Sequence, residues 1–167
     1  MPVTDVRKDR EQMTMTMTAQ FEAPVERVWE MWSNPRKLER WWGPPTYPAT
    51  VTAHDLSVGG RVSYSMTGPE GDKSHGWWIV RSIHAPTHLE FDDGFADELG
   101  DPNPDMPTMT MRVSLSERSN GGTIMTVVTA FPSLEAMDQM IAMGMDEGMS
   151  AAMSQIDALL VTPARSS

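Results

Sequence analysis

The sequence predicts an α+β domain: a curved antiparallel sheet of six or seven strands around a long C-terminal helix, with two short helices after the first strand. Three observations predict it. Apolar and polar residues alternate with a period of two in MTMTMT (13–18), RVSYSMT (61–67) and TMTMRVSL (108–115), the pattern of half-buried strands. Two helix starts follow one another in APVERVWEMWSNPRKL (23–38). A segment running to Leu160 carries apolar residues at helical spacing.

The elements follow in order. Residues 1–12, MPVTDVRKDREQ, read as a polar lead-in, mobile and outside the domain, which spans 13–161; 162–167 form a tail. Met13 to Thr18 is the first strand. Pro24 suits the first turn of a helix, and Val25, Val28, Trp29 and Trp32 trace its apolar face. Asn34 caps a second short helix with Pro35 at its first position. Leu38, Trp41 and Trp42 lie near its end, and Gly43-Pro44-Pro45 forbids continuation. Two adjacent tryptophans cannot both face the core from one helix or strand, so one is expected to pack inward and the other to cover a helix end or cavity rim.

Ala49–Leu56 reads as a strand, Gly59-Gly60 as a tight turn, and Arg61–Thr67 as the returning strand with Val62, Tyr64 and Met66 on one face. Residues 68–72 form a loop, His75–Ile83 a strand, and Ala85-Pro86-Thr87 a turn into Leu89–Phe91. Residues 92–107, DDGFADELGDPNPDMP, read as a long acidic loop, a solvated lid. Thr108–Leu115 and Thr123–Phe131 pair across Asn120-Gly121-Gly122. The final helix spans about Ser133–Leu160, with Met145, Met149, Ala152, Met153, Ile156, Leu159 and Leu160 on its apolar face; MDQMIAMG (137–144) could form a separate short helix. Gly144 and Gly148 each cost about 1 kcal/mol in a helix interior, so they imply a close approach, a kink or a space left open.

Composition narrows the function classes. The 167 residues carry a net charge of −10, which argues against a phosphate-binding surface built from clustered Lys and Arg, and with it against a nucleic-acid partner. There is no cysteine, so no disulfide, thiolate metal site or Cys nucleophile exists, and a reducing, cytoplasmic setting suits the chain. No apolar run is long enough to span a bilayer. Sixteen methionines stand against six phenylalanines and tyrosines; Met fills adaptable apolar space.

FEAPVERVWEMWSNPRKLERWWGP (21–44), DLSVGGRVSY (55–64), HAPTHLEF (84–91), GGTIMTV (121–127) and MDEGMSAAMSQIDALL (145–160) together resemble the START-like, or SRPBCC, superfamily, in the branch named for the activator of heat-shock protein 90 ATPase. The resemblance covers residues 13–160. It implies a helix-grip fold with an apolar cavity between sheet and long helix. It also implies a small hydrophobic ligand, since members of the superfamily bind lipids, sterols and polyketides, and some are aromatase/cyclases. The eukaryotic activator binds its chaperone and carries an additional N-terminal domain, for which this length leaves no room.

A ligand-binding cavity of that kind is lined by inward strand positions and the inner helix face. The candidates are Tyr64, Met66, Trp78, Phe91, Met109 and Met111, then Met125, Val127, Met145, Met149 and Met153, with Trp41 or Trp42 at the entrance. His54 and Asp55 are adjacent in a strand and so point to opposite faces; they form no dyad. His75, His84 and His88 are expected in solvent. No metal-ligand spacing, phosphate loop or G-x-S-x-G motif is found, and no cofactor or catalytic residue is assigned. The expected function is the binding of a small apolar molecule. Two alternatives stay open: an enzyme acting on an aromatic or polyketide-like substrate through Tyr64, His75 or another polar group in the cavity, and a chaperone-regulating or other protein-interaction domain. A homodimer is compatible with each.

Overall fold

A computed structural model describes residues 3–161. The tail assigned to residues 162–167 lies outside the described residues. The architecture is α+β, with one antiparallel sheet and a helical cover, as the sequence implies. The sheet has eight strands rather than six or seven. In chain order the elements are β1 (Val3–Asp9), β2 (Thr14–Phe21), α1 (Val25–Ser33), α2 (Pro35–Leu38), β3 (Ala49–His54), β4 (Arg61–Thr67), β5 (Lys73–His84), β6 (His88–Ala96), β7 (Met109–Glu117), β8 (Thr123–Ala130), α3 (Leu134–Ala142), α4 (Met145–Met153) and α5 (Ile156–Leu160). The strand order is β1-β2-β8-β7-β6-β5-β4-β3. Thus α1 and α2 carry the chain from β2 to the opposite edge of the sheet.

The extra strand is the stretch read as a lead-in. Val6 pairs with Met17 and Lys8 with Met15, and Lys8 Nζ meets Asp146 of α4 at 2.6 Å. Beyond Val3, β1 is wholly exposed. It has no apolar periodicity and is held through its backbone, so hydropathy gave it no signal. Its charged side chains suit an edge strand, where they discourage further strands from adding.

Alternation places the core. Met15, Met17, Ala19 and Phe21 of β2 face inward, as do Met109, Met111, Val113 and Leu115 of β7 and Met125 and Val127 of β8. Against them α1 packs Val25, Val28, Trp29, Met31 and Trp32. The Asn34 side chain accepts from the Arg36 backbone N–H and Pro35 occupies the first turn, so α2 starts as its sequence dictates.

Both tryptophans of RWWGPP are buried, Trp41 fully and Trp42 at 7% exposure. Neither lies in a regular element. Helical and strand periodicities therefore do not force the two rings apart. Both backbone N–H groups still reach the Leu38 carbonyl, and the rings meet edge to face, with centroids 5.6 Å apart. Trp41 donates its indole N–H to the Met31 carbonyl at 2.8 Å. A Cβ on Gly43 would stand 2.1 Å from the Tyr47 carbonyl oxygen, so the turn needs glycine there.

The long C-terminal helix is three helices. Gly144 adopts a left-handed φ of 87° between α3 and α4, and Ser154-Gln155 form a tighter turn between α4 and α5. Ser133 caps α3 by accepting from the Ala136 N–H at 3.0 Å. The acidic loop is shorter than expected, because β6 continues through Asp92 and Asp93 to Ala96. No described helix is long and apolar enough to cross a membrane.

Candidate functional site

Between the sheet and helices α3 and α4 lies a cavity of about 290 Å³, near the lower end of the ~300–1,000 Å³ usual for small-molecule sites. The turn after α2 supplies Trp41, Trp42 and Pro44; the strands supply Tyr64, Met66, Ser74, His75, Asp93, Phe95 and Met109. The helical side supplies Met140, Met143, Met145, Met149 and Ala152, with Gly144 and Gly148. Thioethers make most of the flexible lining, which lets the walls adapt to a guest. Nothing lies within 4 Å of where a Cβ on Gly148 would stand, so that glycine leaves space within the helical wall.

Of the residues nominated from sequence, Trp41, Tyr64, Met66, Met109, Met145 and Met149 stand on this wall. Trp78, Phe91, Met111, Met125, Val127 and Met153 do not; all are 1% exposed or less and belong to the packed core. Trp78 and Phe91 stack with centroids 3.9 Å apart and planes at 20°, and the Trp32 N–H meets the Met125 sulfur at 3.4 Å. Pleat parity tells which face a residue is on. It does not tell where along that face the helices stand off, and they do so over the ends of β4, β5 and β6.

The polar centre of the cavity lies on β6, where the sequence pattern implies a loop. Asp93 is 8% exposed and accepts the Tyr64 hydroxyl on Oδ1 at 2.7 Å. Its neighbour Asp92 faces the other way, taking Arg81 at 2.8 Å and Thr110 at 3.0 Å. Burial pushes the Asp93 carboxyl up to about 7, with the Tyr64 bond opposing the shift. Burial, followed by the charge and hydrogen bond of Asp93, raises the Tyr64 phenol well above its ordinary value. The Trp42 indole N–H is buried with no acceptor in hydrogen-bonding geometry; it lies near enough to the Tyr64 oxygen to oppose that rise weakly. One signal could have revealed Asp93. In L-E-F-D-D-G-F, Leu89, Phe91, Asp93 and Phe95 share one parity, so extending the strand by four residues brings a carboxylate inward.

The histidines divide. His75 is half-buried at the cavity wall rather than in solvent. His54 Nε2 lies 3.1 Å from the Trp32 carbonyl oxygen, while Asp55 accepts from Ser57 at 2.7 Å, so the two share no partner. His84 and His88 are exposed and face each other across the β5–β6 pair. Among the described residues, no group of three or more His, Asp or Glu is placed to hold a metal ion.

Comparison with known proteins supports the fold. Residues 22–161 match the family model for Activator of Hsp90 ATPase homolog 1-like protein. The crystal structure of protein Ms6760 from Mycobacterium smegmatis is 49% identical with a TM-score of 0.89, covering 97% of this chain and 99% of that one. The solution structure of a protein from Arthrobacter aurescens is 51% identical with a TM-score of 0.92, covering 97% and 94%. DynU16, described as a putative protein in the dynemicin biosynthetic locus, shares the fold at 20% identity and a TM-score of 0.62, over 90% of this chain and 48% of that one. No curated protein matches the sequence.

Proposed function

The chain belongs to the family of Activator of Hsp90 ATPase homolog 1-like proteins, and from that premise we propose that it is a binding module for a small, largely apolar molecule held between the sheet and helices α3 and α4. The observation that carries this reading is the cavity itself. Its wall is built from methionines and aromatic rings, and a glycine withholds a side chain from it. A helix that only covered a solid core would gain about 1 kcal/mol from Ala at that glycine. Native mass spectrometry of the purified protein, with and without denaturation, tests the reading. A bound mass released on denaturation, and lost in a Gly148→Leu variant that fills the space, is the expected result. Equal retention of that mass by the filled variant would place the guest elsewhere and overturn the reading.

A second reading, turnover of an aromatic or polyketide-like substrate, draws support from Asp93. A general acid or base works best with a pKa near the operating pH, and burial brings this carboxyl there. Conversion of a bound guest by the wild type and not by Asp93→Asn would establish it; unchanged guest from both would remove it.

A further inference from the structure

Asp93 is satisfied on one side only. Oδ1 takes the Tyr64 hydroxyl at 2.7 Å, and among the described residues nothing hydrogen-bonds to Oδ2. The carboxyl stands on the cavity wall, so its remaining valence is directed at whatever occupies the cavity. Trp41, Trp42, Tyr64 and Phe95 border the same space, and neither Lys nor Arg does.

We propose that the guest is an apolar molecule carrying one basic nitrogen, whose ammonium pairs with Asp93 among the rings of Trp41, Trp42 and Tyr64. This rests on the binding reading above and names the chemical class of the ligand. A carboxyl in apolar surroundings lacks a counter-charge, and a buried charge is stable only when paired. The elements around Asp93 do not supply that charge. Strand β4 offers the Tyr64 phenol, β5 the Ser74 hydroxyl and the His75 imidazole, the turn after α2 the Trp42 indole N–H, β7 only Met109, and the helices only Met, Gly and Ala. The protein thus provides neutral donors and, at most, one weak base, but no fixed cation, so a cationic guest completes the site. Aromatic faces attract cations in their own right, most strongly when water is displaced. The net charge of −10 draws cations toward the mouth and repels carboxylates.

The test uses three probes with one ring system: 2-naphthylmethylamine, 2-naphthylmethanol and 2-naphthoate, titrated calorimetrically into the full chain at pH 7. The amine is expected to bind at least tenfold more tightly than the alcohol, with the carboxylate weakest. Asp93→Asn should lower amine affinity about tenfold and leave the alcohol within threefold. A readout on the wild type alone stands beside the variant. Titration in two buffers of different ionisation heat should show proton release on binding the amine and none with the alcohol, because pairing drives the carboxyl to ionise. An alcohol that binds as tightly as the amine, or an amine preference that survives in Asp93→Asn, overturns the inference while leaving the cavity a binding site. Failure of all three probes to bind would instead remove the binding reading and this inference with it.

Discussion

Gly76 lies beneath the ring of Tyr64. A Cβ built on it would stand 2.3 Å from ring Cζ and 2.4 Å from the hydroxyl oxygen. The two residues are cross-strand partners in the β4–β5 register. The absent side chain on β5 lets the phenol lie against the sheet and reach Asp93 two strands away.

Gly76→Ala should therefore push the Tyr64 ring off its seat and break its bond to Asp93. Overpacking of this kind costs about 1–3 kcal/mol. Urea denaturation should show that loss, and Gly76→Ala combined with Tyr64→Ala should lose less than the two single changes added together. Strict additivity would mean that the ring does not rest on Gly76.

The Asp93 carboxyl has a pH signature whose sign is fixed. Its folded-state pKa, raised from 3.8 to about 7, lies above the unfolded value, so the native state holds the proton more tightly. This contribution is fully present below about pH 4, declines as pH rises, and is gone above about pH 7. Asp93→Asn removes the titration, so its stability relative to wild type should climb between pH 4 and 7 and level off above. The total gain is on the order of a few kcal/mol, because each tenfold change in proton affinity is worth about 1.4 kcal/mol. Denaturation curves across that range measure it, and a constant difference between the two proteins would contradict the assignment.

Two glycines four residues apart should respond to alanine with opposite sign. Neither Cβ would touch anything within 4 Å, so the backbone decides. Gly144 has a φ of 87°, and Ala there costs about 1–2 kcal/mol. Gly148 is inside α4, and Ala there should stabilise by up to about 1 kcal/mol. Thermal melts of the two variants separate these outcomes, and Gly148→Ala should also reduce the affinity of any bulky guest by narrowing the cavity.

Gln155 joins the α4–α5 turn to the tryptophan turn. Its Nε2 donates to the Gly43 carbonyl at 2.7 Å and to the Trp41 carbonyl at 3.3 Å. Gln155→Ala leaves two buried acceptors without a donor, which costs about 1–3 kcal/mol. Calorimetric melting of this variant should show the loss, whereas Gln155→Glu, which keeps the length but not the donor, should recover none of it.

How far such features could be read from the sequence depended on whether they are local. The strand alternation in MTMTMT, the Asn34-Pro35 start of α2 and the glycine turns are decided within a few residues, and they stand where the spacing places them. Strand β1 was missed because its pairing is a backbone property with no hydropathy signature. The tandem tryptophans can both be buried because residues in a turn are not bound by helical or strand periodicity. The division of the nominated residues between cavity and core was not legible, since Tyr64 and Trp78 face the same side and differ only in their position beneath the helices. Asp93 was hidden by its company: an acidic pair beside a Gly/Pro-rich loop looks solvated until the parity of Phe91 and Phe95 is extended through it.

The break at Gly144 alters the cooperativity of the whole cover. Helices of nine, nine and five residues fall below the ~12–15 residues at which an isolated helix begins to persist in water. Each therefore exists only by virtue of its contacts and carries no reserve of its own against nucleation loss. The strands beneath are laced into one ladder from β1 to β3, with β7 and β8 at its interior. The molecule thus has two tiers of protection. In amide hydrogen exchange, α3 to α5 should open as a subglobal unit well below the free energy at which β7 and β8 release their protons. A guest filling the cavity would raise that lower tier first, so the protein would register occupancy as a slowing of its helices while the sheet stays unchanged.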